Sequence, residues 1–191
     1  LQVWDLEGKE HTSPLRTNGR FVGSRNTRPK ITEDNKFIYG VFDDGKFGIW
    51  DILSGKEKCA PIEHKLNNPS IYVSPDSSVA CLKSSNGRKL RWWSTISSNP
   101  IVEEMTLERG YRDVYFSPNN QRIFIGDQNN ELIIQDLTTY DYTTIDLKDA
   151  TTSQSIIFPQ FIIFGNTENQ LFILDTDKSL WEVDIQNNMV E

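Results

Sequence analysis

What constrains this chain most is a recurrence. Five short β-rich segments end in a Trp-Asp-like pair. They are Leu1-Gln2-Val3-Trp4-Asp5, Phe47-Gly48-Ile49-Trp50-Asp51, Leu90-Arg91-Trp92-Trp93-Ser94, Leu132-Ile133-Ile134-Gln135-Asp136 and Leu171-Phe172-Ile173-Leu174-Asp175. Their last positions are 5, 51, 94, 136 and 175, spaced by 46, 43, 42 and 39 residues. A unit of about 40 residues holds four short strands but no independent core, so such units bury apolar surface by stacking on one another.

A second landmark keeps step with the first. Ile31-Thr32-Glu33-Asp34, Val73-Ser74-Pro75-Asp76 and Phe116-Ser117-Pro118-Asn119 each close a β-rich run, 17 or 18 residues before the pair that follows. Ser-Pro-Asp or Ser-Pro-Asn is turn chemistry: proline presets φ, and the Asp or Asn side chain bonds back to the backbone. Between the landmarks lie β-branched and aromatic runs, Phe37 to Phe42, Arg122 to Gly126 and Phe161 to Gly165. Near-continuous apolar runs suit strands covered on both faces. Asp43-Asp44-Gly45, Asn86-Gly87 and Gln128-Asn129-Asn130 supply hairpin turns, and no segment keeps a helical period.

These units resemble the WD-repeat family, over nearly the whole chain. The resemblance implies an all-β fold, a β-propeller with about four complete four-stranded antiparallel blades plus a partial blade. The complete blades are expected at 29–63, 70–107, 112–147 and 153–185, and the partial one at 1–15. The family places a histidine twelve residues before the turn Asp. His64 stands there in the second unit, whereas Val22 and Leu107 stand there in the first and third. The family's Asp before the Trp-Asp strand corresponds to Asp44, with Asn86, Asn129 and Glu168 replacing it in the other units. No unit has the whole Trp, Ser/Thr, His and Asp hydrogen-bonded set, so these repeats are degenerate. Propellers of this family commonly close with seven blades, roughly 300 residues. On that count the chain is expected to be a fragment whose terminal blades expose apolar faces and sheet edges. The remaining blades would then be its first partners.

Composition narrows the function. The chain has 191 residues, is 37% hydrophobic and carries a net charge of −7. That charge argues against general binding to nucleic acid or to an acidic membrane, both of which need basic surface. The most apolar stretch, 156 to 164, is interrupted by Pro159 and Gln160 and is too short to span a bilayer. Of the two cysteines, Cys81 lies in an apolar run and reads as a buried hydrophobe. A disulfide to Cys59 is open but nothing requires it. No N-glycosylation acceptor is present, since Asn68-Pro69-Ser70 is excluded by its proline. These features favour a reducing compartment, the cytoplasm or else the nucleus.

Sharper chemical readings lose to structural ones. Gly40 to Phe47 matches most of a phosphate-binding loop. But Phe47 replaces the magnesium-binding hydroxyl, Asp43 and Asp44 would repel phosphate, and a strand follows instead of a helix. Asp175-Thr176-Asp177 begins like a calcium loop, yet Leu180 and Gln186 occupy the positions that need Gly and Glu. Neither His11 nor His64 is accompanied by a nucleophile or metal motif. Ser74-Pro75 and Ser117-Pro118 sit at the repeat's own turn and read as turns before phosphorylation sites. No catalysis, cofactor or metal is expected.

The remaining feature is electrostatic. Residues 11–32 hold Arg16, Arg20, Arg25, Arg28 and Lys30 with no acid, leaving −12 on the rest of the chain. Such a loop suits an acidic or phosphorylated partner segment, and a solvated loop is the plainer alternative. The family resemblance implies a scaffold or sensor module binding proteins or peptides on one rim. Mapped by position, that rim carries Arg25, Asn26 and Arg28, then Lys65, Asn67 and Asn68, then Arg109, Tyr111 and Arg112. Two other readings stand behind it. One is a propeller hydrolase or lactonase, and the other is the ligand-sensing region of a large multidomain signalling protein.

Overall fold

The computed structural model describes residues 7–9, 20, 28–67, 69–107, 110–127, 131–147, 161–165, 167, 169–174, 178–187 and 189–190. Apart from 7–9, the partial blade expected at 1–15 lies outside them. The described residues contain sixteen strands and no helix. Consecutive strands pair antiparallel into four four-stranded sheets. Sheet one is β1 (Lys30–Ile31), β2 (Phe37–Val41), β3 (Lys46–Asp51) and β4 (Ile62–Glu63). Sheet two is β5 (Ser70–Val73), β6 (Val79–Lys83), β7 (Lys89–Ser94) and β8 (Pro100–Thr106). Sheet three is β9 (Tyr111–Phe116), β10 (Arg122–Asp127), β11 (Glu131–Asp136) and β12 (Tyr142–Asp146). Sheet four is β13 (Phe161–Phe164), β14 (Gln170–Leu174), β15 (Leu180–Asp184) and β16 (Met189–Val190). The chain divides into two compact units, 1–106 with sheets one and two and 107–191 with sheets three and four.

Both sequence landmarks turn out to be hydrogen-bonding devices. After the first strand, a buried hydroxyl accepts the N–H five residues on and donates to a side chain two residues on. Phe37 N bonds to Thr32 Oγ1 at 3.1 Å, and Thr32 Oγ1 donates to Asp34 at 2.6 Å. Val79 and Ser74 repeat this at 3.0 Å, with Ser74 donating to Asp76 at 2.7 Å. Arg122 and Ser117 repeat it at 2.9 Å, with Ser117 donating to Asn119 at 2.6 Å. Asn35, Ser77 and Asn120 take the left-handed conformation that closes each turn. The polar residue after the tryptophan position caps the next turn. Asp51 Oδ1 accepts from Ser54 N at 2.7 Å, Asp136 Oδ1 from Thr139 N at 2.9 Å, and Ser94 Oγ from Ser97 N at 3.2 Å. These N–H donors hold the Asp51 and Asp136 carboxyls below their ordinary range.

Sheet four corrects the sequence reading. Its cap is Asp184, which accepts from Asn187 N at 3.2 Å, nine residues beyond Asp175, which lies outside the described residues. The backbone fixes this independently. Ile52, Thr95 and Leu137 each donate to the carbonyl that precedes the second strand, of Lys36, Ser78 and Gln121. In sheet four the corresponding donor is Ile185, to Asn169 at 2.8 Å. The fourth interval is therefore 48 residues, from Asp136 to Asp184. Phe161 to Phe164 is a first strand, counterpart of β9 and not of β10. Glu168, assigned to a hairpin turn from the sequence, lies outside the described residues. The sheet extends to Val190, beyond the 185 boundary. It was misread because Gly165 replaces the turn hydroxyl and Val183 replaces the tryptophan.

Sheets pack face to face within each unit. In unit one, Tyr39, Val41, Phe47 and Ile49 of sheet one meet Ile71, Ala80, Leu82 and Trp93 of sheet two. The other face of sheet one buries Ile38, Phe42, Trp50 and Ile52, and Phe42 meets Trp50 edge-on at 5.3 Å. Trp50 and Trp93 are both buried, as the repeat requires. Trp92 is buried too, on the face opposite Trp93, because neighbours on a strand alternate. Gly48 lies beneath the Trp50 indole: a Cβ there would sit 2.2 Å from Cη2. In unit two, Phe124, Leu132, Ile134 and Ile145 of sheet three meet Leu171, Ile173, Trp181 and Val183 of sheet four. Cys59 and Cys81 are free and buried, and burial pushes both thiols up.

Candidate functional site

Where one sheet hands over to the next in unit one, the chain from β4 to β5 is pinned at two points. His64 N donates to Gly45 O at 3.2 Å, in the β2–β3 turn of sheet one. Asn67 O accepts from Ser85 N at 3.3 Å, in the β6–β7 turn of sheet two. Between these pins the side chains alternate. His64 and Leu66 are buried, while Lys65 and Asn67 are exposed, Lys65 with φ of 52°. His64 Nδ1 accepts from Leu66 N at 3.0 Å, so the neutral ring carries its proton on Nε2. Burial, reinforced by the nearby Arg91 charge, lowers the His64 pKa and keeps the ring neutral.

Arg20 repeats the second pin one sheet earlier. Its carbonyl accepts from Asp43 N, and its N–H donates to Asp43 Oδ1, both at 2.9 Å. From this pin to the turn hydroxyl the chain runs twelve residues, Arg20 to Thr32, against seven from Asn67 to Ser74. The entry to sheet one is therefore longer by five residues, and it is there that the basic segment lies. Arg20, Arg28 and Lys30 are all exposed.

Sequence reasoning missed a cluster next to this edge. The Tyr72 ring of β5 has two ammonium groups within reach, Lys30 Nζ at 5.7 Å and Lys83 Nζ at 5.8 Å from its centre. Both distances suit cation–π attraction. Lys30 and Tyr72 hold equivalent register positions, opposite Tyr39 and Cys81 respectively. Alternation along Ser70 to Val73 was the signal available, since it turns Tyr72 away from the Ile71 core.

A cleft of about 530 Å³ runs between β4 and β7–β8, with Glu63, Lys65, Arg91 and Glu104 among its lining residues. Arg91 is committed structurally. It pairs with Glu104 at 2.9 Å and donates to His64 O at 3.2 Å, tying sheet two to the β4–β5 connection. Glu104 also pairs with Lys89 at 2.8 Å, and these cations hold its carboxyl below the ordinary range. A second cleft, of about 320 Å³, is lined by Thr167, Asn169, Gln170, Glu182, Asp184 and Gln186 in unit two. Among the described residues no three His, Cys, Asp or Glu side chains are grouped to hold a metal ion.

Of the rim residues, the structure brings Lys65 and Asn67 together in one loop and places Arg28 two residues before β1. Tyr111 and Arg112 open strand β9 instead of lying in a loop, and Tyr111 pairs with Asp127. Arg25, Asn26, Asn68 and Arg109 lie outside the described residues.

No protein-family model matches the chain, and no curated protein matches it. Solved structures do. The Cps50 (Swd1) β-propeller domain of Myceliophteria thermophila aligns with a TM-score of 0.68 at 14% identity, over 90% of this chain and 56% of that one. The fold is a β-propeller. Two computationally designed proteins align as well, both at 14% identity. Ika8 has a TM-score of 0.63 over 96% of this chain and 52% of its own, and Ika4 has 0.60 over 93% and 99%. The chain thus spans about half the length of Ika8 and of the Swd1 domain.

Proposed function

We propose that the chain is a WD-repeat-type interaction module whose blades hold partner proteins and catalyse nothing themselves. The observation that carries this reading is the exposed basic edge of unit one. Arg20, Arg28, Lys30 and Lys65 reach solvent there, and Lys30 and Lys83 lie within reach of Tyr72. Rigid blades pin this edge through Arg20 and Asn67, so the binding groups need little further ordering. Arginine, lysine and an aromatic ring on such an edge suit an acidic or phosphorylated peptide from a protein of the cytoplasm or nucleus. The likeness to the Swd1 propeller domain is consistent with this class of module.

The test is fluorescence polarisation with labelled Glu-rich and phosphoserine peptides. Attraction between surface charges weakens with salt, and arginine's two-pronged grip cannot be copied by lysine. Binding is expected to fall in the order native, Arg25→Lys with Arg28→Lys, then Arg25→Ser with Arg28→Ser, and to weaken from 50 to about 300 mM salt. Equal binding by all three versions, or none by the native chain, refutes the basic edge as the binding surface.

A further inference from the structure

One wall of the larger cleft in unit one is β4 with the connection after it, and the other is β7 with β8. The cleft is open because the fourth strand of sheet one is short. β4 pairs only with Lys46 and Phe47, whereas β8 runs for seven residues beside β7. Both walls change character in the same direction. On one, Pro61 and Ile62 are followed by Glu63 and Lys65. On the other, Pro100 and its partner Trp93 give way to Glu104 and Arg91. The walls are aligned, since Arg91 donates to His64 O while Ile62 and Trp93 share one core cluster. The cleft therefore has an apolar end and a charged end.

At the apolar end Ile62 and Trp93 are buried, and Pro61 and Pro100 are exposed. Proline presents ring carbons and no N–H, so this end suits an aliphatic side chain. At the charged end most charges are already matched. Glu104 is held by Lys89 and Arg91, and Glu63 stands opposite Lys46 in the β3–β4 pair. Lys65 is exposed, and among the described residues no carboxylate pairs with it. Lys65 also belongs to the basic edge, so the cleft opens onto that edge at this residue. Arg91 and Trp93 are alternate residues of β7, about 7 Å apart along the strand. An extended peptide brings its own alternate residues to one side at the same spacing.

We propose that this cleft reads a second residue of the peptide docked on the basic edge. That residue is a leucine or valine two positions from the acidic or phosphorylated residue held by Lys65. The site rests on the basic edge as the binding surface and gives it a sequence preference, acidic-x-aliphatic, that charge alone does not provide.

The test is fluorescence polarisation with labelled, end-capped peptides on the full chain. The probes are Glu-Glu-Ser-Leu, its Glu-Glu-Ser-Ser counterpart, and Glu-Glu-Leu-Ser, which moves the leucine next to the acid. Glu-Glu-Ser-Leu is expected to bind about tenfold tighter than either of the others. At about 300 mM salt all three weaken while that ratio holds, because apolar burial is not screened. Pro61→Gln is expected to bring the ratio to about one and to leave Glu-Glu-Ser-Ser binding unchanged. Lys65→Ser is expected to weaken all three. The shifted leucine tests the spacing without altering the protein. A ratio near one in the native chain, or one that survives Pro61→Gln, overturns the cleft site, and Glu-Glu-Ser-Ser binding lost in Arg28→Ser would still support the basic edge. No binding of any probe overturns both. A native dimer in sedimentation that Pro61→Gln dissociates would assign the cleft to a second copy and overturn the proposal.

Discussion

Sheets one and four are built on the same hydrogen-bond skeleton from different side chains. In both, the first turn closes through a backbone bond, Thr32 N to Phe37 O and Gly165 N to Gln170 O. In both, an acid caps the turn after the third strand, Asp51 or Asp184. Sheet one adds a turn hydroxyl and a tryptophan seated over a glycine. Sheet four has Gly165 and Val183 at the hydroxyl and tryptophan positions, and its buried ring, Trp181, stands at the position of Gly48. The difference shows that a blade's geometry is carried by backbone pairing and two caps. The conspicuous side chains add stability to a shape that forms without them.

The comparison breaks most visibly at the tryptophan. Trp50→Ala removes a fully buried ring in contact with Phe42 and is expected to cost about 3–5 kcal/mol in denaturant unfolding. Val183→Ala, at the equivalent position, is expected to cost less, since full burial of a valine is worth about 1.5–3 kcal/mol. Gly48→Ala pushes a methyl into the Trp50 ring and is expected to cost about 1–3 kcal/mol. In a Trp50→Ala background that cost should largely vanish, because the obstructing ring is gone. A Gly48→Ala cost that survives in the double variant would place the constraint in the backbone and not in the indole.

A smaller effect belongs to the turn hydroxyls. Ser74→Ala and Ser117→Ala each strip the acceptor from the N–H of Val79 or Arg122 and are expected to cost about 1–2 kcal/mol. At Gly165 there is no hydroxyl to lose. The atoms nearest a Cβ there belong to the flexible Gln170 side chain, so Gly165→Ala is expected to cost less than either serine variant. Equal costs at all three positions would mean that the hydroxyl is incidental to the turn.

How much of this was legible follows the same division. Sheets one to three could be read from sequence because Ser-Pro-Asp, Ser-Pro-Asn and Trp-Asp name the residues that make the bonds. The run from Leu171 to Asp175 imitated a third strand with its cap, and the real cap, Asp184, follows a valine. The Asn187-to-Asp184 cap and the Ile185-to-Asn169 backbone bond separate the two, and backbone bonds have no spelling. The proposed binding edge was legible as charge, in the arginines of residues 11–32, but not as geometry. Tyr111 and Arg112, placed by counting, opened a strand. The Lys30, Tyr72 and Lys83 group escaped because its members lie on three strands and meet only after two sheets pack.

The subtlest contrast is one of pH, and it rests on His64. The segment 148–160 that leads into sheet four contains no histidine, whereas the β4–β5 connection that leads into sheet two buries one. Burial, then the Arg91 charge, lowers the folded pKa of His64 below its ordinary value of 6.5, against a weaker upward pull from Asp44. The sign follows from proton counting. Between the folded and unfolded pKa values the unfolded chain binds more protons, so protonation favours unfolding. The contribution of His64 is complete above pH 6.5 and is lost as the pH falls through the depressed folded value. Denaturant unfolding at pH 7.5 and 5.5 is therefore expected to show lower stability at the acid end. His64→Gln keeps an acceptor for Leu66 N–H but cannot titrate, so it should flatten that dependence while the carboxylates, which protonate below about pH 4.5, stay ionised. An unchanged pH slope in His64→Gln would show that His64 binds protons equally in the folded and unfolded chains, so that neither its burial nor the Arg91 charge acts on the ring.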